Sequence, residues 1–274
     1  MILVNGNETG VVAAADRGLA YGDGVFRTLL VRNGAPQQWP RQRAKLGFDC
    51  AALGIAMPEK GSLEQDVTRV CRANRDCALK VIVTRGIGER GYRYAENRVP
   101  TRIVLSAPLP SYPPSYAEAG VKVRLCRLQL AHQPALAGIK HLNRLENVLA
   151  RAEWTDPSIA EGIICDAHAH AIGGTMTNLF IAKNGALVTP GLERCGIAGV
   201  TRDRVIDAAA RHDAACEVTI LSWDDVLAAD EIFLVNSLLG VWPVRDIEGE
   251  TRAPGPLTRA VQSWLNQEDD AKAA

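Results

Sequence analysis

Lys140, in the run Ala137-Gly-Ile-Lys-His-Leu-Asn-Arg-Leu-Glu-Asn147, is the residue best suited to do chemistry. It follows a small Ala-Gly pair and precedes an amphipathic stretch, Leu142–Trp154, whose apolar face reads as Leu142, Leu145, Leu149 and Ala152. A lysine at a helix mouth can reach into a cleft. There the positive helix terminus, with Arg144 and His141 nearby, favours the neutral, nucleophilic amine. A solvated lysine beside a helix start has the same local sequence, and composition alone favours that plainer alternative. Gly86–Gly91, GIGERG, formally matches the dinucleotide fingerprint. The next residues, YRYAENRVPTR, are poorly helical, include Pro100 and lead into the neutral run LSAPLPS, so the fingerprint lacks its helix and its acid. The glycines read instead as a tight loop aiming Arg85, Arg90 and Tyr92. Asp166, His168 and His170 alternate as metal ligands on a strand would. No second cluster completes a coordination sphere, so a polar hairpin tip is the better reading and no metal is expected. No G-x-S-x-G elbow or other hydrolase signature occurs.

These groups need a scaffold, and 274 residues allow one large domain or two modest ones. With 47% apolar and 23% charged residues the chain can bury a core without staples. Its 31 basic and 31 acidic side chains cancel, so no global field recruits nucleic acid or an anionic membrane. Seven scattered cysteines, with no C-x-x-C pair, read as buried thiols of a cytoplasmic protein. The N-terminus does not read as a signal peptide, and no run approaches the roughly 18 apolar residues of a membrane span.

Strands are expected at Met1–Val4, Val25–Arg32, Ala78–Thr84, Arg102–Ser106, Val121–Leu128, Gly162–Asp166, Asn178–Lys183 and Glu231–Asn236. Besides Leu142–Trp154, helices are expected at Pro40–Leu53, Leu63–Asn74, Thr201–His212 and Pro256–Asn266. Strands cluster ahead of helix groups, which suggests α+β. Four prolines in Ala107–Ala117 mark a boundary. The division is therefore a smaller N-terminal α/β domain over 1–110, a Pro-rich linker over 111–120 and a larger domain over 121–274. The tail EDDAKAA reads as frayed.

AGIKHLNRLENVLAR resembles the segment that carries the cofactor lysine in fold-type IV pyridoxal phosphate enzymes, and within them the aminodeoxychorismate lyase family. The likeness runs nearly the whole chain: DRGLAYGDGVFRT, TRGIGERGY, TNLF, CGIAGVTR and DEIFLVNSLLGVWPV are similar to that family's motifs, in order. Branched-chain and D-amino acid aminotransferases share the scaffold; the K-H-L-N-R-L-E run and the R-G-Y loop favour the lyase. The resemblance implies a larger C-terminal pseudo-barrel domain, a homodimer, and pyridoxal 5'-phosphate held covalently by Lys140, which also moves protons. It implies cofactor phosphate at Gly199, Val200 and Thr201 where a helix opens, with Asn236 and Ser237 adding hydrogen bonds. Thr28 matches a hydroxyl beside the substrate. Arg85 and Arg90, with Tyr92, become candidates for the substrate's carboxylates.

Two positions depart from the pattern. Lys45 stands where the family has an arginine for the phosphate, keeping the charge but losing the fork. Gly173 stands where the family usually has a glutamate for the pyridine nitrogen. A shifted alignment, another group or water, or an unprotonated ring would each account for it. Two other readings therefore remain: an aminotransferase on D- or branched-chain amino acids, and a non-catalytic metabolite-binding relative.

Overall fold

A computed structural model describes residues 1–95 and 99–273, so Glu96–Arg98 and Ala274 lie outside the description. The chain divides into two compact units. The first comprises Met1–Ser111 with Ile139–Asn143; the second comprises Tyr112–Gly138 with Arg144–Ala274.

The first unit contains β1 (Ile2–Val4), β2 (Asn7–Glu8), α1 (Arg17–Tyr21), β3 (Gly24–Arg32), β4 (Ala35–Pro36), α2 (Trp39–Ala52), α3 (Lys60–Ala73), β5 (Cys77–Thr84) and β6 (Thr101–Ala107). Its six strands run in the order β2-β1-β6-β5-β3-β4, with every pairing antiparallel. It is thus an antiparallel α+β unit rather than the expected α/β one, because antiparallel neighbours need no crossover helix between them. Val25, Leu29 and Val31 of β3 alternate inward and pack with Leu46 and Cys50 of α2 and with Leu63, Val67 and Val70 of α3. Each such aliphatic side chain contributes about 1.5–3 kcal/mol on burial. Phe26, Thr28 and Leu30 face the other way, half-buried.

The second unit contains α4 (Ser115–Glu118), β7 (Val121–Leu130), α5 (Leu145–Arg151), β8 (Ile159–Asp166), β9 (Ala171–Gly174), β10 (Asn178–Lys183), β11 (Ala186–Pro190), α6 (Val200–Arg211), β12 (Cys216–Thr219), α7 (Trp223–Leu227), β13 (Glu231–Asn236), β14 (Gly240–Ile247), β15 (Glu250–Thr251) and α8 (Pro256–Ala273). Its mixed sheet has the order β12-β11-β10-β13-β14-β7-β8-β9, with β15 on β14. The sheet curls until its ends meet, where Ala171 N–H of β9 donates to Leu221 O just beyond β12, at 2.7 Å. That closure is the expected pseudo-barrel. Leu179, Ile181, Ile232, Leu234 and Trp242 share one cluster; Phe180, Phe233 and Val235 share another with Val205 and Ala208 of α6 and Val261 and Leu265 of α8. Both faces of β10 and β13 are buried, which is why they read as continuous apolar runs.

Several expectations need correction. The Pro-rich segment 111–120 packs on the second unit, where Tyr112 and Tyr116 meet Trp242 edge-on at 4.6 and 5.1 Å. β9, β11, β12 and β14 went unread; β14 holds Pro243, tolerated because pairing to β7 begins only at Val244. α8 continues past Asn266, since Arg204 of α6 grips Glu268 at 3.0 Å and Asp269 at 2.7 Å. The helix expected over Leu142–Trp154 shrinks to α5, and its supposed core residues Leu145 and Leu149 are 75% and 60% exposed. The expected hairpin tip between β8 and β9 is a turn, its backbone N–H groups of His168 and His170 donating to Asp166 Oδ1.

Candidate active site

Lys140 does not sit at a helix mouth. Its segment lies extended along the open edge of β3: Phe26 N–H donates to Lys140 O and Leu142 N–H to Gly24 O, both at 2.9 Å. The motif Tyr21-Gly22-Asp23-Gly24 makes that edge available. α1 ends at Gly22 in the left-handed conformation, φ 64°, where glycine has no steric penalty. A Cβ at Gly24 would stand 2.7 Å from both Leu142 Cδ1 and Val83 O, so only glycine admits the lysine segment. Asn143 Nδ2 closes the arrangement on Gly22 O at 3.2 Å.

The outward face of β3 supplies the rest of this cluster. Lys140 Nζ lies 4.8 Å from the centre of the Phe26 ring, and Lys80 Nζ of β5 lies at the same distance. Thr28 pairs directly with Lys80 across the β3–β5 ladder, so their side chains share this face. Sequence reasoning missed Lys80, although it is the one charged residue within the apolar strand Ala78–Thr84. An aromatic face accepts a cation, so the Phe26 ring is a seat for each amine.

Asp23 anchors the entry loop. It accepts from Arg17 Nε and Arg85 Nε, each at 2.8 Å. Burial works to raise its carboxyl, but the two guanidiniums overcome this and hold it below the ordinary aspartate value. Arg85 is therefore not available to a substrate carboxylate. Its remaining nitrogens donate to Gly54 O at 2.6 Å and Leu53 O at 2.7 Å, and its plane covers Tyr94 at 3.7 Å. Arg17, which sequence reasoning did not single out, holds the following loop through Gly91 O at 2.9 Å and Tyr92 O at 3.3 Å. Arg90 and Tyr92 stand exposed on that loop, with Tyr92 tilted against Tyr21. Lys45 lies half-buried on α2, one turn before Asp49.

The second unit carries an anion cradle. Gly199 caps α6; its N–H donates to Asn178 Oδ1 at 3.2 Å, while Asn178 Nδ2 donates to Ile197 O at 2.8 Å. A Cβ at Gly199 would run into Asn178 Oδ1. The asparagine of the N-L-F strand thus shapes the turn before the helix. Helix geometry leaves the first N–H groups of α6 without intrahelical partners, and Thr201 Oγ1 lies 3.4 Å from Ser237 Oγ. The N–H groups of Val200 and Thr201, with the Thr201 and Ser237 hydroxyls, have the chemistry to fit a phosphate dianion; Gly199, expected among these ligands, has its one N–H on Asn178 and shapes the turn instead. Asn236 supports this cradle instead of joining it. Its Oδ1 accepts from Leu238 and Leu239 N–H at 2.8 and 2.9 Å, and its Nδ2 donates to Met176 O at 3.2 Å.

Gly173 is a true glycine position. It pairs with Ile164 in β8, and a Cβ there would stand 2.9 Å from Thr177 O, so a glutamate requires the hairpin to shift. The carboxylate of this region is Glu161, fully buried on β8. Its Oε1 accepts from Gly162 N–H, Thr175 N–H and Thr175 Oγ1; its Oε2 accepts from Met176 N–H and Thr177 Oγ1. Burial pushes its carboxyl above the ordinary glutamate value, against the pull of these donors. Glu161 holds the Thr175–Thr177 turn and has no oxygen to spare for a ligand.

A family model, amino-transferase class IV, matches residues 24–247, a span that includes the lysine segment and the anion cradle. The chain belongs to the class IV aminotransferase family. Class IV enzymes depend on pyridoxal 5'-phosphate. An aminodeoxychorismate lyase of Vibrio harveyi is 33% identical over 97% of this chain and 100% of its own. The crystal structure of 4-amino-4-deoxychorismate lyase from Pseudomonas aeruginosa superposes with a TM-score of 0.95 at 42% identity, covering 98% of this chain and 100% of that one. A D-alanine aminotransferase of Bacillus licheniformis is 28% identical over 91% of this class IV chain and 89% of its own.

Proposed function

We propose that this chain is a pyridoxal phosphate-dependent lyase that converts 4-amino-4-deoxychorismate to 4-aminobenzoate and pyruvate, a step of folate synthesis. The observation that carries the reading is the full-length 42% identity to a lyase of that name, together with Lys140 and Lys80 on one aromatic ring. Lys140 holds the cofactor, and Val200, Thr201 and Ser237 hold its phosphate at the turn that Gly199 and Asn178 shape, with Lys45 as a further cation. The bound cofactor supplies an electron sink that acidifies the substrate carbon beside the amine. Lys140 Nζ takes the ring proton from that carbon. The bond to the enolpyruvyl oxygen breaks, the ring becomes aromatic, and Thr28 Oγ1, on the face of the sheet that carries Lys80, gives a proton to the departing enolpyruvate. Lys80 and Arg90 are the cations proposed for the substrate's carboxylates, Arg85 being committed to Asp23.

Two further features of the reading concern the assembly and the compartment. The exposed stripe of Leu145, Val148 and Leu149 on α5 supports a homodimer. Seven free cysteines, six of them buried, support a cytoplasmic setting. No helix among the described residues is long and apolar enough to cross a membrane. The test is release of pyruvate and 4-aminobenzoate from aminodeoxychorismate with added cofactor, beside a Lys140→Ala control. Equal release of both products, abolished in the control, is the expected result. Keto-acid-dependent consumption of an amino donor, with neither product formed, would assign the chain to the aminotransferases.

A further inference from the structure

Alternation along β3 calls for an aliphatic residue at position 27, between Val25 and Leu29 on the inward face. The chain has Arg27, only 2% exposed, and its partner is Asp49 of α2, fully buried. Arg27 Nη2 donates to Asp49 Oδ2 and also to Lys45 O at 3.4 Å. The same Oδ2 accepts the backbone N–H of Lys140 at 3.3 Å, across 91 positions of sequence. Asp49 Oδ1 is buried and meets no hydrogen-bond donor among the described residues. Burial pushes the Asp49 carboxyl up, with Arg27 pulling against it.

Stability does not account for this pair. Two charges taken out of water return little net free energy, and an apolar pair of similar volume does as well or better. What the pair adds is a fixed acceptor under one peptide. The carbonyl of Lys140 is already held by Phe26 N–H, and Asp49 holds its amide, so the backbone that carries the amine is held on both sides. A reacting group hung from a fixed backbone loses less freedom on reaching its working geometry.

We propose that the buried Arg27–Asp49 pair is a positioning device for Lys140, gripping the lysine's own peptide N–H so that its amine is presented in one orientation. The proposal rests on the reading of Lys140 as the cofactor-bearing residue. Its test uses two double variants, Arg27→Met/Asp49→Leu and Arg27→Met/Asp49→Asn. Both remove the two charges together, so neither leaves an unpaired buried charge, and asparagine keeps an oxygen that can accept the Lys140 N–H. Two readouts other than turnover apply: amide hydrogen exchange at Lys140 in the cofactor-free protein, and the rate of coloured adduct formation with pyridoxal, which lacks the phosphate. In the leucine variant, Lys140 exchange should rise about tenfold or more and adduct formation should slow about tenfold, the scale of one hydrogen bond to a charged group. Leu79 and Val81 amides of β5 should exchange as before, and the asparagine variant should stay near wild type in both readouts. Wild-type exchange and adduct rates in the leucine variant would overturn the proposal, as would equal loss in both variants. If wild-type protein formed no adduct with pyridoxal, the lysine's assignment would fail, while the exchange data would still decide whether Asp49 grips its amide.

Discussion

Glu161→Gln tests whether the buried carboxylate organises the turn facing Gly173. The side chain keeps its shape but turns one acceptor oxygen into an NH2 donor. Oε1 receives three donors and Oε2 two, so the least damaging orientation places the NH2 at Oε2. There the Thr177 hydroxyl can rotate to accept, but Met176 N–H cannot. The variant therefore loses one charge-assisted bond outright and leaves a buried amide hydrogen facing another donor, together about 2–4 kcal/mol. For a unit of this size about 2–4 °C of melting temperature corresponds to each kcal/mol, so a fall of roughly 5–15 °C is expected in thermal unfolding. The Thr175–Thr177 turn also receives Asn147 Nδ2 at Thr175 O and Asn236 Nδ2 at Met176 O, so cofactor affinity should weaken with it. A melting temperature within about 1 °C of wild type would show that the five hydrogen bonds do not hold the turn.

Arg85→Met should lower stability by about 1.5–3 kcal/mol, because it removes one charge-assisted bond from Asp23, which keeps Arg17, and the donor to the Leu53 and Gly54 carbonyls. Urea unfolding reads this, and a variant as stable as wild type with a raised KM would restore Arg85 as a substrate ligand. Lys80→Met should reduce kcat/KM about ten- to a hundredfold while leaving urea unfolding nearly unchanged, as loss of a charged ligand to a carboxylate does; steady-state kinetics with unchanged kcat/KM would remove Lys80 from the site. For Asp166, burial acts to raise the carboxyl, but His132, the backbone N–H groups of His170 and His168, and the His170 ring hold it well below the usual range. Its folded value is depressed, so its stabilisation is complete above the unfolded value near 4 and fades as pH falls below that. The gap in unfolding free energy between wild type and Asp166→Asn should therefore be widest near neutrality and narrow from about pH 4 downwards. A gap independent of pH would refute this.

The main strands and helices were legible because both faces of β10 and β13 are apolar and β3 is rich in apolar and β-branched residues despite Arg27 on its inward face. β11, β12 and β14 were not: β12 is a short polar edge strand, β11 has only five residues ending in a proline, and Pro243 interrupts β14. The motif lysine was legible by resemblance, but its setting was not. Leu142, Leu145 and Leu149 have helical spacing, yet Leu142 packs near Gly24 while Leu145 and Leu149 face outward. Arg85 shows the same limit: an arginine in a glycine-rich loop looks like a ligand until Asp23, 62 positions earlier, claims it. Lys80 is the converse, a charge in an apolar strand whose meaning appears only when β3 brings Thr28 and Phe26 beside it.

Gly173 and Glu161 together say what kind of chemistry the second unit supports. The hairpin from β8 to the Thr175–Thr177 turn has its carboxylate at position 161, fully engaged, and bare backbone at 173, where Thr177 O leaves no room for a side chain. The proposed ligands of this unit are therefore the N–H groups of Val200 and Thr201 and the hydroxyls of Thr201 and Ser237, which suit an anion. Both lysines that meet the Phe26 ring belong to the first unit. A transaminase must return its amino group from a product no more stable than its substrate, and depends on a strong electron sink in both directions. A reaction that ends in an aromatic ring proceeds downhill once the proton is removed, so a well-placed base matters more than a charge beside the ring nitrogen. The proposed clamp on Lys140, in a chain with glycine at 173, suits that second kind of reaction better than the first, and the pyruvate-release assay against keto-acid-dependent amino transfer decides between them.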